Sequence, residues 1–470
     1  MFTKLKSSDG ELFSVANTFL QKSETLKSML NLCSEEMTDD MEDVVTLDKI
    51  HSKYLKIVVH WLEVGTLDTD DLEQNDLHHL IVHSNYLNIP GLLDELCKML
   101  VEQIAKKKNL TIQDDLITKP RCFHDRCKAT SVENLKVCAK CSIAKYCSKD
   151  CQSDDWAEHK QICKLISSLT KAMKREAAHL SQFVWDEPGN TFEEEAGHFW
   201  GIHETRPYCR AKCSLAEAIM ELAKDKKQSF IYEKSLSHHM ELLRLIHGDN
   251  MGIRYMVPAT FLILNKDEEC HNFLKWWCTI DPHGTYDWGD VPESKEGDWL
   301  YLTNQDLYED PLLFTDFHEL QSLNAFLCIR LRIVSRFRLM EAINTDITNA
   351  ISSGDEMKPL IDVLPSLQKI VLGEKSTSKN FTLGKQEEIL QNILVAIKET
   401  NKSFLPAFLN PKPLFANDPP SSYSRGSTSE TYFALKSCLS VLSSISIAKD
   451  VISAFCGNDT SYDAKVVSFY

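Results

Sequence analysis

The amino-acid sequence predicts a multidomain chain: a small α/β domain, then a compact Cys/His-rich module, then a mostly α-helical, repeat-like remainder. Three observations carry this reading. Short alternating apolar runs flank a Ser-Asp-Gly turn near the start of the chain and then give way to helical periodicity. Seven of the sixteen cysteines crowd between Cys122 and Cys163. From about residue 170 onward, apolar residues recur at helical spacing, with Pro, Asn and Gly between the runs.

The chain has 470 residues, which at roughly 100–200 residues per domain suggests about three domains. Composition divides it into residues 1–110, 119–165, 170–350 and 351–470, with a linker from Ala105 to Pro120. The Pro-, Ser- and Asp-rich stretch at 411–430 is expected to form a long, exposed and mobile loop. A hydrophobic content of 43% is enough to fill real cores. The formal charge of −16 is a poor match to a phosphate backbone, so nucleic acid is not an expected partner. No run of about 18 apolar residues is found, so no membrane span is expected. Met1 to Leu5 shows no apolar signal core, so secretion is not expected, and the location is expected to be cytoplasmic, nuclear or both. In such a chain crowded cysteines point to metal ligation before disulfides.

The N-terminal elements follow in order. Lys4 to Val15 reads as a hairpin around Ser8-Asp9-Gly10. Ser23 to Leu30 reads as a short helix with Leu26, Met29 and Leu30 on one side, and Val44 to Leu47 as a strand. Tyr54, Ile57, Val58, Trp61 and Leu62 mark a second helix, and Leu77, Leu80, Ile81, Tyr86 and Leu87 a third. Ile89-Pro90-Gly91 breaks the pattern before a fourth helix over Leu92 to Ile104.

This order resembles the POZ-fold adaptor of SCF ubiquitin ligases, the Skp family, with elongin C as a relative. The strings that carry it are Lys4–Phe13, Ser23–Leu30 and Asn85–Asp94, the last (Asn-Tyr-Leu-Asn-Ile-Pro-Gly-Leu-Leu-Asp) being the most specific. The resemblance implies that Asn85 and Tyr86 lie on a cullin-facing side. Read from the residues alone, the pair serves either partner contact or local capping and packing. Two features depart from the family pattern. The long acidic insertion is reduced to Leu67–Asn75, and the helices that grip an F-box are not recognisable after Ile104.

The Cys/His cluster runs Cys122-x4-Cys127, Cys138-x2-Cys141, Cys147-x3-Cys151, His159-x3-Cys163. Pairs at x2 to x4 place both side chains on one ion from a tight knuckle or a single helical turn. Eight such ligands make two closed tetrahedral zinc sites, with no open position for water or substrate. His124 lies inside the first pair, but Cys-x-His leaves little room to chelate one ion. Scattered thiols or a disulfide framework would not produce eight ligands at pair spacing. Asp155 to His159 reads as a helix that delivers His159 and, one turn on, Cys163.

Lys145-Tyr146-Cys147-Ser148-Lys149-Asp150-Cys151-Gln152, followed by Trp156 and His159, resembles the hallmark of the MYND finger. The resemblance implies interleaved sites. Cys122, Cys127, Cys147 and Cys151 would hold one Zn2+, and Cys138, Cys141, His159 and Cys163 the other. Tyr146 and Trp156 are expected to pack the module's small core.

Further helices are expected over His198–Ala223, Ser229–Ile246, Gly252–Leu264, Glu268–Cys278 and Leu323–Met340. Leu222-Ala223-Lys224-Asp225 and Leu264-Asn265-Lys266-Asp267 recur 42 residues apart between helices, which suggests stacked hairpins loosely similar to tetratricopeptide repeats. Trp276-Trp277 serves either packing between repeats or the wall of a peptide groove. His238-His239 and Asp281-Pro282-His283 read as polar surface spots.

No Gly-rich phosphate loop, no Ser/His/Asp elbow and no motif of the SET-domain lysine methyltransferases, some of which carry MYND fingers, follows Cys163. The sequence therefore points to a zinc-binding interaction adaptor and not to an enzyme. The resemblances imply a role in ubiquitin-dependent degradation, with cullin and client proteins as partners. The alternatives are a transcriptional co-regulator binding Pro-rich peptides through the finger, and a methyltransferase.

Overall fold

The computed structural model describes residues 2–35, 44–67, 72–110, 116–127, 135–181, 191–279, 304–315, 319–373 and 376–465. In chain order the elements begin with strands β1 (Phe2–Ser7) and β2 (Leu12–Ala16), helices α1 (Asn17–Leu20) and α2 (Glu24–Glu35), and strand β3 (Val44–Leu47). Helices α3 (Ser52–Val64), α4 (Gln74–Tyr86) and α5 (Pro90–Lys108) follow. The Cys/His module contributes β4 (Lys136–Val137), β5 (Lys145–Tyr146), α6 (Lys149–Asp154) and α7 (Trp156–Leu180). Then come α8 (Thr191–Glu194), α9 (Arg206–Lys226), α10 (Ser229–Leu245), α11 (Val257–Ile263), α12 (Asp267–Thr279), α13 (Leu320–Ser353), α14 (Leu364–Leu372), α15 (Leu383–Thr400), α16 (Phe404–Leu409), α17 (Lys412–Phe415), α18 (Thr428–Ser444) and α19 (Ala448–Cys456).

Two compact units emerge, and they interleave along the chain. The first contains residues 1–112 and 333–377, the second 113–332 and 378–470. The linear division at 110, 170 and 350 expected from composition does not show this interleaving.

In the first unit β1 is central, antiparallel to β2 and parallel to β3. The alternation of Thr3, Leu5 and Ser7 turns those three side chains inward, and Leu5 is fully buried. Gly10, at φ 89°, closes the hairpin where a side chain would be strained. The Asp9 carboxylate accepts from Ser52 N at 2.9 Å and Ser52 Oγ at 2.6 Å and so ties the hairpin turn to the start of α3. These hydrogen bonds hold Asp9 well below the usual carboxylate range. The expected break lies between α4 and α5, and Pro90 itself begins α5, at a position where its missing N–H costs nothing. A Cβ on Gly91 would meet the Trp61 ring at 3.0 Å, a tight contact that glycine avoids where α5 approaches α3.

The apolar core of this unit is finished by residues distant in sequence. Leu339, Ile343 and Ile347 from α13, Met357, Leu360 and Val363 from the 3-10 helix Asp355–Val363, and Leu367 and Val371 from α14 join Leu92, Leu96 and Leu100 of α5 in one cluster. Asp346 anchors this segment to α4: it accepts from Gln74 Nε2 and pairs with His78 Nε2 at 2.8 Å. Burial pushes the Asp346 carboxyl up, but the hydrogen bonds from His78 and Gln74 outweigh it and the net shift is downward.

The second unit is built from the Cys/His module and helices. α7 packs on α9, α9 on α10, α10 on α11 and α11 on α12. Ser235 Oγ donates to Ala216 O at 2.9 Å and fixes α10 to α9. The buried Arg332 guanidinium pairs with Asp267 and donates to Leu262 O at 2.8 Å. Asn324 and Arg330 of α13 reach Ala434 O and Gln386, respectively, and lock the 378–470 segment onto the same unit.

Several boundaries differ from expectation. α5 continues through Lys108, so the first part of the expected linker is helical, and Asn109 ends it at φ 52°. The stretch from His198 to Thr205 forms turns, because Pro207 sets the start of α9 at Arg206. The expected helix over Gly252–Leu264 is split: a 3-10 turn over Ile253–Tyr255 precedes α11, whose first turn carries Pro258. Asp249 at φ 44° accepts from Ile253 N and Arg254 N at 2.7 and 3.0 Å and organises that turn. Within 411–430, α17 and the first turn of α18 are ordered elements; Glu430 is buried and accepts from Asn401 Nδ2 and Gly426 N. His239 is fully buried, contrary to the surface reading of His238-His239. Asp281-Pro282-His283 lies outside the described residues.

Among the described residues no single helix is long and apolar enough to cross a membrane; the apolar pair α18 and α19 is bent by 116°.

Candidate metal centre

Each ligand is placed by a short local structure. Phe123 N donates to Lys145 O at 2.8 Å and brings the Cys122–Cys127 turn beside β5. β4 and β5 pair antiparallel, with Lys136 opposite Tyr146 and Val137 opposite Lys145, so Cys138 and Cys147 leave the ribbon at opposite ends and enter different ligand groups. Cys138 N donates to Ala144 O at 2.7 Å and Ser142 N to Cys138 O at 2.9 Å, with Ser142 at φ 59°. That tight knuckle turns Cys138 and Cys141 toward one point. Ser148 caps α6 by accepting from Cys151 N at 3.1 Å, which sets Cys151 in the first turn, one turn beyond Cys147. α7 carries His159 and Cys163 four residues apart on one face.

These elements bring all eight sequence-derived ligands together in two groups of four. Cys122, Cys127, Cys147 and Cys151 form one, and Cys138, Cys141, His159 and Cys163 the other; within each, the ligand atoms lie within 4.8 Å of one another. Cys127 Sγ and Cys147 Sγ are 3.5 Å apart, Cys138 Sγ and Cys163 Sγ 3.9 Å, and Cys141 Sγ and His159 Nε2 3.5 Å. A tetrahedral zinc with Zn–S near 2.3 Å has S–S edges of roughly 3.8 Å. The donor sets therefore fit two Zn2+, each with four protein ligands and no open position. The second group is fully buried, whereas the first is half-exposed apart from Cys122. Burial pulls His159 below its ordinary value and keeps it in the neutral form that ligates metal. His124 is not in either group; a hydrogen bond from it lowers the Cys151 thiol.

One expected core residue is outside the core. Tyr146 is buried among Phe123 and His159, but Trp156 is 38% exposed and touches His159 edge-on. What fills the interior instead is Phe123, which packs on Tyr146, His159 and Phe230. Asp155, not singled out in the sequence, is buried and accepts from the Tyr146 hydroxyl at 2.6 Å. Its signal was its place just before the helix that carries His159.

The finger is not a separate bead. Thr118 N donates to Lys227 O at 2.6 Å, Arg121 N to Gln228 Oε1 at 3.0 Å, and Lys226 Nζ pairs with Asp125 at 3.0 Å. Lys145 Nζ sits 4.0 Å over the Phe230 ring. The module is therefore seated on the turn between α9 and α10.

In the first unit Asn85 and Tyr86 close α4. Asn85 is half-buried, and the Tyr86 ring is 43% exposed with Lys49 Nζ 5.9 Å above it. The pair is not consumed by core packing.

A family model described as "Skp1 family, tetramerisation domain" matches residues 1–64, and the MYND finger model matches residues 122–163. A Skp1-related protein of Caenorhabditis elegans is 29% identical over 130 residues, 22% of this chain and 73% of that protein. SKP1-like protein 4 of Arabidopsis thaliana is 29% identical over 128 residues, 22% of this chain and 75% of that protein. A histone-lysine N-methyltransferase, ASHR1 of Arabidopsis thaliana, is 29% identical over 72 residues, which is 15% of this chain and 14% of that protein. The chain thus carries a Skp1-type POZ domain at its N-terminus and a MYND zinc finger, followed by a mostly helical region. Both matched modules serve protein–protein interaction. The Asn85–Asp94 string lies beyond residues 1–64 of the family match.

Proposed function

We propose that this protein is a non-enzymatic adaptor that joins a cullin-type ubiquitin-ligase scaffold to client proteins, acting in the cytoplasm, the nucleus or both. One observation carries the reading: a Skp1-type domain with an exposed Tyr86 stands on the same chain as a finger whose eight ligands saturate two zinc ions. Saturated zinc has no position at which to activate water or polarise a substrate, so its role is to hold a binding surface in shape. The similarity to the methyltransferase is confined to 14% of that enzyme's length and supports no catalytic assignment. In this reading Asn85 and Tyr86 touch the scaffold, and the finger with its helical seat recruits the client.

The test is a pull-down of the full chain with a cullin N-terminal region. Binding that is lost on Tyr86→Ala, with the thermal unfolding profile unchanged, supports the adaptor reading. Absence of cullin binding to the intact chain, or turnover in a methyltransferase assay with labelled cofactor, overturns it.

A further inference from the structure

A cleft of about 1050 Å3 opens in the first unit between α3, α4 and the 3-10 helix Asp355–Val363. Its floor is aromatic. Tyr54 stacks on His79 with ring centroids 4.8 Å apart, His83 lies 5.4 Å from Tyr54, and Tyr86 lines the same space. The floor is rigid, because the Tyr54 hydroxyl donates to Asp76 at 3.1 Å and Lys53 pairs with that carboxylate at 2.6 Å.

The 3-10 helix contributes an acidic side to the lining, with Asp355, Glu356 and Asp362. Lys358 answers Asp355 at 2.8 Å, but Glu356 and Asp362 are exposed and in no ion pair or hydrogen bond among the described residues. Glu356 lines the same cleft as Tyr54 and His79, and its charge is felt by both rings. Lys53 is paired with Asp76 and also lies 5.4 Å over the Tyr54 ring, so that face is already taken; the remaining charged lining is Asp48, Glu356 and Asp362 against Lys49. Burial holds His83 neutral, its value pulled down to about 4.

A flat, weakly hydrated cation is what such a site accepts. Tyrosine and imidazole faces attract a guanidinium through their π-systems, and carboxylates in the same lining bind its N–H groups in pairs. A strongly hydrated ammonium gains less from the rings, and a neutral side chain gains nothing from the carboxylates. We propose that this cleft is a docking site for an arginine side chain presented by a partner protein, with the guanidinium over the His79–Tyr86 floor and its charge met by Glu356 and Asp362. The site shares Tyr86 with the adaptor reading but does not depend on it: Glu356 and Asp362 come from a segment more than 250 residues after the Skp1-type match, and the probes below contain no scaffold protein.

The experiment is calorimetric and saturation-transfer NMR titration of the full chain with acetyl-Gly-Arg-Gly-amide and with its lysine and citrulline counterparts. The arginine tripeptide is expected to bind at least tenfold more tightly than the citrulline tripeptide, which has the same shape without the charge, and more tightly than the lysine one. A Glu356→Gln/Asp362→Asn variant is expected to lose at least tenfold in arginine affinity, with its circular dichroism melt unchanged because both side chains are exposed. Lys49→Gln, which removes the cation competing at the Tyr86 ring, is expected to tighten binding severalfold. Equal affinity for the arginine and citrulline tripeptides, a preference for lysine, or full affinity in the double variant overturns the proposal.

Discussion

The Tyr146 hydroxyl donates to the Asp155 carboxylate at 2.6 Å, with both residues buried inside the finger. The pair joins β5, which leads into Cys147, to the start of the helix that carries His159 and Cys163. Tyr146→Phe keeps the ring packing on Phe123 but leaves a buried carboxylate without this donor. An unsatisfied buried group of this kind costs about 1–3 kcal/mol, more when charged. The expected outcome is a finger that loses zinc to a competing chelator faster than the intact chain, measured with a colorimetric zinc indicator, while helix content stays the same.

The first unit depends on its late segment. Ile343, Ile347, Met357, Leu360, Val363 and Leu367 are each buried to 2% exposure or less in the same core as α5. Removing apolar side chains of this size from the core forgoes about 1.5–3 kcal/mol each, on the order of 10 kcal/mol together, comparable with the whole stability of a typical domain. A fragment of residues 1–112 is expected to lack a cooperative thermal transition and to regain one when a 333–377 peptide is added. Cooperative unfolding of the fragment alone would show that the late segment is an accessory.

Gly91 sits where a Cβ would lie 3.0 Å from the Trp61 ring, and that ring is held by a 2.7 Å hydrogen bond from its Nε1 to Glu95. A Cβ there requires the hydrogen-bonded ring or the helix to shift by a few tenths of an ångström, so Gly91→Ala is expected to destabilise the first unit by about 1 kcal/mol. Denaturant titration reads the change as a lower midpoint at an unaltered slope.

Acid sensitivity follows from buried histidines. Burial pulls His83, His239 and His271 down to about 4. The folded values lie below the ordinary 6.5, so between pH 6.5 and pH 4 the unfolded chain binds more protons than the folded one. Stability contributed by keeping these rings neutral is complete above pH 6.5 and is lost as pH falls through about 4. Each ring contributes on the order of 1–3 kcal/mol to that loss. Thermal midpoints are expected to be level from pH 7.5 to about pH 6.5 and to fall from there to pH 4.5, and His239→Phe is expected to flatten that fall. Asp346 acts lower on the scale: its depressed carboxyl supports the fold above its ordinary value and gives up that support only as pH falls through the lower folded one.

Sequence spacing made the finger legible in detail. Cys-pair intervals report directly on chelation, so the eight ligands could be read off before any fold was known, and the hairpin around Gly10 was equally plain. Local patterning is blind to contacts over long separations. Nothing near Gln74 or His78 announces Asp346, some 270 residues later, and nothing in α5 announces Leu360 or Leu367. The same blindness hid the cleft, whose acidic wall and aromatic floor come from opposite ends of the unit's sequence. Trp156 failed for a different reason: an aromatic beside a ligand reads as core, but Phe123 already occupies that space. The break expected at Ile89-Pro90-Gly91 separates α4 from α5, and only the start of the next helix moves two residues earlier, to Pro90, because proline begins a helix with its fixed φ.

Two closed zinc sites hold the finger on its helical seat. Metal analysis of the purified full chain, paired with hydrogen-exchange mass spectrometry before and after chelation, tests this most directly. Two zinc ions per chain are expected, with exchange protection across Cys122–Cys163 lost on chelation and retained in the first unit. A metal-free chain that keeps full protection through Cys163 would contradict it.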